Sequence, residues 1–372
     1  MSAEGGYTSV AFPSHVRTAF TKSGAPCAER HDATGELVRL LDDLGTEFRW
    51  VAARVRETRS ARGATAAVDA PITPSLVTQQ LYHALCHDGY ACLIVSRDEP
   101  DPMPLPPDMP HGSYVIVLAS LEYDEVAGTA GDGVIGSLFS VYKRRTTPGR
   151  AGRKEDMQVQ LAGQVAAGYA LYGSSTQMCY AMRGNPGVYR FVLHPVAKQF
   201  FMCSATAMTF GKENVSGIAL GMDDKAMRQA ANNGAEAVNG QAVATTPPVR
   251  LLCPRGLLLR GDALGAALRA FVERHGCGVI YTGSIVDDFH SMLMAGGVMV
   301  TDAIDLLCEA GPLAYLAEET GARAVDDSGA RVLDRRLSGS DPLHVPVRVL
   351  LGAPELIEEL QTGMRDAEKE RR

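Results

Sequence analysis

The sequence predicts an α/β protein, and three observations carry that prediction. Tyr114–Arg145 holds two apolar runs separated by an acidic, glycine-bearing loop. Runs of this length bounded by turn residues read as buried strands, with Gly131-Asp132-Gly133 marking the return between them. Leu37, Leu40, Leu41, Leu44, Phe48, Val51 and Val55 recur at helical spacing, which makes one helix face apolar. Ala91-Cys-Leu-Ile-Val95 is a further short apolar run and reads as a buried strand.

Taken in order, residues 1–33 are punctuated by Gly, Ser and Pro and read as a mobile or loosely docked arm. The first helix starts at Thr34, a common cap residue. Residues 57–67 are polar and small, a loop. Thr73 caps a second helix with Pro74 at its first position, and Leu76, Leu81, Tyr82 and Leu85 face inward. Pro100–Pro110 is dense in proline and reads as a surface connection, and Arg144–Arg150 as basic and exposed. A helix is expected over Met157–Gln164. Val188–Leu193 and Gln199–Met202 flank His194-Pro195 as a hairpin, with His194 a surface turn residue rather than a ligand. Asp223–Leu264 contains a small, polar stretch that suits either a partner surface or a plain surface loop. Pro354–Arg372 closes the chain as an amphipathic helix fading into charge.

Composition narrows the function classes. With 372 residues and 46% hydrophobic content, the chain is long enough for one large or two modest domains. A net charge of −7 argues against nucleic-acid and membrane-surface partners. No run approaches membrane-spanning length, and Glu4 with no apolar stretch after it is unlike a secretory signal. Cys92, Cys179, Cys203 and Cys308 lie in apolar contexts, with no CxxC pair, as expected of reduced thiols inside the cell. A cytoplasmic location is expected, with an organelle left open. The loop after Tyr114–Glu122 suits divalent metal and phosphate, and equally suits an ordinary solvated turn between core strands.

Beyond these readings, the chain resembles class I fructose-1,6-bisphosphatase. Gly136-Ser-Leu-Phe-Ser-Val-Tyr-Lys143 is similar to that family's strand after its metal loop, and Val165-Ala-Ala-Gly-Tyr-Ala-Leu-Tyr-Gly-Ser-Ser175 to its VAAGYALYGS run. Phe191-Val-Leu-His-Pro195 resembles its Leu-Asp-Pro hairpin, and Tyr281-Thr-Gly-Ser-Ile-Val286 its Tyr-Val-Gly-Ser-Met-Val segment. Gly311-Pro-Leu-Ala-Tyr-Leu-Ala-Glu-Glu-Thr-Gly321 resembles its helix near the active site. The matches are collinear from Thr34 to Leu360. They imply a layered α/β/α/β/α sandwich, divided into an arm (1–33), an N-terminal α+β domain (34–204) and a C-terminal α/β domain (205–372).

The same resemblance implies where chemistry would sit, and there the chain departs from the pattern. The family's metal loop reads Asp-Pro-Leu-Asp-Gly-Ser-Ser; here the residues are Ala119-Ser120-Leu121-Glu122-Tyr123-Asp124-Glu125. Ala119 offers no oxygen to a hard cation, whereas Glu122 retains a carboxylate. Tyr123 replaces a glycine, and Asp124 and Glu125 put negative charge where a phosphate would sit. Arg97 and Asp98 stand where the family has two metal-binding glutamates, with Glu99 one position on. Glu309 matches a metal-binding carboxylate directly, and Tyr281 a substrate-pocket tyrosine. Ile280, Ala295 and Ala303 stand for the family's arginine, a tyrosine and the lysine of its sugar-phosphate site. Asp287, Asp288 and His290 could suggest a metal, although a helix N-terminus explains the acids equally well.

An AMP-like site is implied at Thr34, Gly35, Glu36 and Leu37, with Tyr114 as the adenosine-contacting tyrosine. Ser113 and Val38 replace its lysine and last threonine, and Lys143 its arginine. Asp69 is the sole aspartate near the loop that closes over the family's active site.

Three functions follow. The first is a catalytically degenerate phosphatase with a structural, assembly or regulatory role and no cofactor. The second is an active Mg2+-dependent sugar-bisphosphate phosphatase of carbohydrate metabolism acting on fructose-1,6- or sedoheptulose-1,7-bisphosphate. It would use Asp98 or Glu99, Glu122, Asp124 or Glu125, and Glu309, with water activated on the metal. The third is a fold recruited for metal-free chemistry on another small molecule, with Arg97, Glu122 and Tyr123 as acid or base groups. The candidate partners are a second copy of the chain and a protein docking at 223–264, with the oligomeric state left open.

Overall fold

The three apolar patterns become two stacked sheets with helices outside and between them. The computed structural model describes residues 8–22, 35–61, 72–122, 134–212, 249–338 and 341–371. Helix α1 (Phe12–Lys22) is followed by α2 (Glu36–Ala61) and α3 (Pro74–His87). A large sheet then forms from β1 (Ala91–Ser96), β2 (Met103–Pro104), β3 (Tyr114–Glu122), β4 (Ile135–Lys143), β5 (Gln164–Tyr172), β6 (Thr176–Met182), β7 (Asn185–Leu193) and β8 (Phe200–Met202). Its order is β2-β1-β3-β4-β5-β6-β7-β8, antiparallel throughout except for the parallel pair β1 and β3.

The second half supplies β9 (Leu251–Leu252), α4 (Arg255–Leu258), α5 (Ala263–His275), β10 (Val279–Ile280), α6 (Ile285–Ala295), β11 (Val298–Val300) and β12 (Ile304–Asp305). It ends with α7 (Gly311–Glu319), β13 (Arg323–Asp326), β14 (Pro346–Val347), β15 (Val349–Gly352) and α8 (Pro354–Glu370). Five of these strands make a second sheet in the order β10-β9-β11-β15-β13, and β12 pairs with β14.

Strand periodicity explains the layers. Along β3, Tyr114, Ile116 and Leu118 join a core with Phe12, Leu40, Phe48 and Leu81 from α1 to α3. The alternate residues Val115, Val117 and Ala119 face a second core with Phe289 and Leu293 of α6 and Leu313 and Leu316 of α7. All nine residues of β3 are therefore buried. A third core joins the outer face of the small sheet, through Val298 and Leu350, to Leu268 of α5 and Ile357 of α8. The result is helix, sheet, helix, sheet, helix: the five-layer sandwich that the resemblance implies.

Several local readings match the fold. Thr73 Oγ1 accepts the amide of Leu76, and β7 and β8 pair as a hairpin in which His194 Nδ1 accepts the amide of Ala197. Among the described residues no helix is long and apolar enough to cross a membrane.

Four readings need correction. Residues 57–61, expected as loop, continue α2. Arg144, expected to be exposed, is buried with Nη2 3.8 Å from Asp156 Oδ2. Within the expected loose arm, α1 docks firmly, because Phe12, Val16 and Ala19 are buried and Phe12 meets Tyr180 and Phe191 edge-on. No helix forms over Met157–Gln164; two short 3-10 turns, Lys154–Met157 and Leu161–Gly163, lead into β5 instead. Gln164 binds the carbonyls of Leu161 and Gly311 from within the core, which fixes it at the start of a strand.

An arginine clamped between buried carboxylates

The cleft between the sheets is floored by three segments that are remote in sequence. The first follows β1: Arg97 donates its amide to the Leu118 carbonyl, which turns the chain over the end of β3. The second is the end of β3, where the pairing register with β4 shifts between Ala119 and Glu122. Such a bulge re-aims the side chains beyond it, here Glu122. Gly136 sits opposite Glu122, and a Cβ at that glycine would lie 2.5 Å from the Cβ of Val286. Only glycine lets α6 approach the sheet this closely.

The third segment is a widened π turn, Leu306–Ala310, at the start of α7. Asp305 caps it by accepting the amides of Leu307 (2.9 Å) and Cys308 (2.6 Å). In return the Asp305 amide donates to Glu309 Oε2 at 2.5 Å, which fixes that carboxylate. His344 reaches in from a distant loop, with Nδ1 2.8 Å from Asp305 Oδ2 and Nε2 2.8 Å from the Glu99 carbonyl.

Arg97 occupies the point on which these segments converge. Its Nη1 donates to Glu122 Oε2 at 2.9 Å and to Glu309 Oε1 at 3.0 Å, while Nη2 lies 3.8 Å from Asp98 Oδ1. Asp98 is drawn the other way, with Oδ2 3.0 Å from Thr78 Oγ1. That hydroxyl belongs to a buried cluster with Ser96 and Ser120.

The electrostatics follow from burial. Burial pushes the Glu122 carboxyl well above its usual range; the neighbouring Glu309 charge adds to this, and Arg97 opposes it. Burial works against the Arg97 charge too, but Glu122, Glu309 and Asp98 outweigh it and hold the guanidinium charged. Glu122 Oε1 is buried with no hydrogen-bond partner among the described residues.

A divalent cation in such a site takes several oxygen donors. Here a guanidinium nitrogen stands between the two carboxylates that would supply them, and Ala119 is a buried methyl in the core. The donor set as folded does not fit a divalent ion.

Beside this floor lies a pocket of about 250 Å³, walled by Leu252, Met299 and Val300, with Asp288 to one side. Tyr281 borders it and is 48% exposed. Ala303 lines it as well, a methyl where the resemblance implies a lysine. Asp287 and Asp288 occupy the first turn of α6, capped by Ser284, as the helix-terminus reading expects. Burial pushes Asp288 up to about 6, against the hydrogen bond from the Thr282 amide. His290 is held neutral by burial, lowered to about 3, and its Nδ1 lies 2.7 Å from the Tyr169 hydroxyl.

The structure thus brings Asp98, Glu122, Glu309 and Tyr281 to one cleft. Tyr123, Asp124, Glu125, Asp69 and Thr34 lie outside the described residues. At the AMP-like site, Gly35 takes a left-handed φ of +72° before α2 and Glu36 is half-buried. The Leu37 and Tyr114 side chains both lie in the core on the helix side of the large sheet. Leu37 packs into the core with Leu40 and Leu41, and Tyr114 is 0% exposed beneath the helices. The helical spacing that makes α2 amphipathic also turns Leu37 inward.

Sequence reasoning did not find Asp305, His344 or the Thr78-Ser96-Ser120 cluster. Asp305 had a local signal, an acid two and three residues before the amides it caps. His344 had none, because its partners come from segments far away in the chain.

Comparison with known proteins identifies the fold's origin. Residues 25–205 match the family model "Fructose-1-6-bisphosphatase, N-terminal domain", and residues 261–365 match its C-terminal domain. The chain belongs to the fructose-1,6-bisphosphatase family. It is 26% identical over 354 residues to a fructose-1,6-bisphosphatase class 1 from Chloroherpeton thalassium, covering 90% of each chain. The corresponding protein of Maridesulfovibrio salexigens is 26% identical over 304 residues, covering 77% of this chain and 78% of that one. A solved Leishmania major fructose-1,6-bisphosphatase in the T-state superposes with a TM-score of 0.72 at 18% identity, covering 96% of this chain and 99% of the other.

Proposed function

We propose that this chain is a catalytically degenerate fructose-1,6-bisphosphatase-like protein with a structural, assembly or regulatory role. The observation that carries the reading is Arg97 Nη1, 2.9 and 3.0 Å from Glu122 and Glu309. A tethered guanidinium neutralises these carboxylates, but it has no open coordination position on which to lower the pKa of a water or polarise a phosphoryl oxygen. Ala119 and Ala303 support the reading from two sides, the first lacking a metal ligand and the second a cation for the sugar phosphate. On this reading the chain works through binding. Two lobes, 34–204 and 205–372, frame the cleft, and a second copy or a protein partner at 223–264 is the expected contact. Only residues 249–264 of that stretch lie within the described residues.

The test is phosphate release from fructose-1,6-bisphosphate and sedoheptulose-1,7-bisphosphate with Mg2+ or Mn2+, beside Ala119→Asp and Glu309→Ala variants. The expected result is no turnover in the parent and none in Ala119→Asp, because the site has changed at several positions. Turnover in the parent that disappears in Glu309→Ala would overturn the reading in favour of a metal-dependent sugar-bisphosphate phosphatase using Asp98, Glu122 and Glu309.

A further inference from the structure

We infer that the pocket beside Arg97 binds a small organic cation, a primary amine on a short apolar skeleton, in place of a phosphate ester. The inference rests on the reading above in one respect: the carboxylates of the floor are committed to Arg97 and not to a metal.

Charge is the first argument. Glu122, Glu309 and Asp288 line the pocket, and among the described lining residues Arg97 is the sole cation. Asp302, at the rim, is already paired with Arg348 at 3.0 Å. Asp288 accepts the Thr282 amide and makes no ion pair among the described residues. A phosphate would bring further acceptors and negative charge to this set, with one guanidinium already shared between two carboxylates.

Hydrogen-bond chemistry is the second. Burial favours the uncharged form of Glu122, and a cation entering beside it favours the ionised form, which only accepts; an ammonium only donates, with three N–H groups. Glu122, which borders the pocket, has a buried oxygen, Oε1, with no partner among the described residues. A buried acceptor in that state carries an unmet desolvation cost, which a donor entering the pocket would relieve. The third argument is shape. Leu252, Met299 and Val300 present apolar walls, against which a short hydrocarbon skeleton loses contact with water. Tyr281 adds an aromatic ring at the border, a surface that attracts cations. Carboxylates below, hydrocarbon at the sides and an aromatic ring at the edge match an alkylammonium ion.

The test compares two isosteres, n-butylamine and n-butanol, by saturation-transfer NMR on the full chain. Fructose-1,6-bisphosphate and Mg2+ are present in a parallel sample monitored for inorganic phosphate. Butylamine should bind about tenfold more tightly than butanol, as a charge-assisted contact requires. Asp288→Asn and Glu122→Gln should each weaken butylamine several-fold and leave butanol unchanged; Asp288→Asn leaves the Arg97 clamp untouched, so folding does not decide the result. Equal binding of the two isosteres, binding that survives both variants, or no amine binding would each overturn the inference. Phosphate release would overturn the phosphatase-dead reading instead, and no amine binding without phosphate release would overturn this inference alone.

Discussion

Glu122 and Asp156 are both buried acids beside an arginine, yet they are handled in opposite ways. Asp156 is 0% exposed and fully used. It accepts the amides of Arg145 (2.8 Å), Thr146 (2.7 Å) and Arg153 (3.0 Å) and the Thr146 hydroxyl (2.8 Å), with Arg144 Nη2 3.8 Å away. Burial alone would raise its pKa, but these hydrogen bonds win and lower it. Glu122 has the Arg97 contact, a neighbouring Glu309 and an unpartnered oxygen, and its pKa rises. Donors aimed at the charge, rather than depth, separate a structural acid from one held under tension. The Asp156 site closes a loop; the Glu122 site gathers two carboxylates around one guanidinium in the cleft.

The sharpest way to break this comparison is to remove Asp156. Asp156→Ala leaves three part-buried amides and the Thr146 hydroxyl without their acceptor, and urea unfolding should show a loss of about 3–5 kcal/mol. Loss of only a few tenths would mean the loop reorganises and the two acids are alike. Next comes Arg97→Ala, which leaves Glu122 and Glu309 facing each other without a cation. Because the Arg97 side chain is 27% exposed, about 2–3 kcal/mol is expected at pH 7, measured in the same way. The loss should shrink as acid protonates the carboxylates.

Packing under the floor gives a smaller effect. Gly136→Ala drives a methyl against Val286, and thermal unfolding should register about 1–3 kcal/mol of destabilisation. An unchanged Tm would show that α6 is free to retreat and that the floor is less rigid than Asp156's loop.

The smallest effect at neutral pH distinguishes the two acids by sign. For Glu122 the folded-state pKa lies above the unfolded value of 4.5, so its stability contribution is complete below pH 4.5 and is lost as pH rises. Glu122→Gln removes that loss, so its stability relative to the parent should improve from pH 4 to pH 7, ending within about 1 kcal/mol. For Asp156 the folded pKa is below 3.8, so its contribution is present above that value and is lost as pH falls. Asp156→Asn should therefore flatten the acid limb of the stability curve. Parallel pH slopes for the two variants would remove the distinction.

Much of the fold was legible in the chain because burial imposes period. The apolar run over β3, the helical stripe of α2 and the Thr73-Pro74 start of α3 each follow from local geometry. At the site, Arg97, Asp98, Glu122 and Glu309 could be named from the chain as a charged set that departs from the metal pattern the resemblance implies. What it could not convey was that Arg97 bonds Glu122 and Glu309 together, since Arg97 and Glu309 are 212 positions apart. The docking of α1 and the strand start at Gln164 were hidden for the same reason, their partners being distant strands and α7.

By itself, then, the sequence determined that the long apolar segments are α2, α3 and β3, which of their faces are apolar, and which residue types stand where the resemblance implies metal ligands. These depend on spacing and side-chain chemistry, which are local properties. Only the tertiary structure decided that the guanidinium would fill the space between two carboxylates, that Glu122 would keep an unpartnered oxygen, and that Asp288 and Tyr281 would border the same pocket. Those outcomes depend on how sheets and helices stack, and electrostatic energy is set by distances and burial that exist only after stacking.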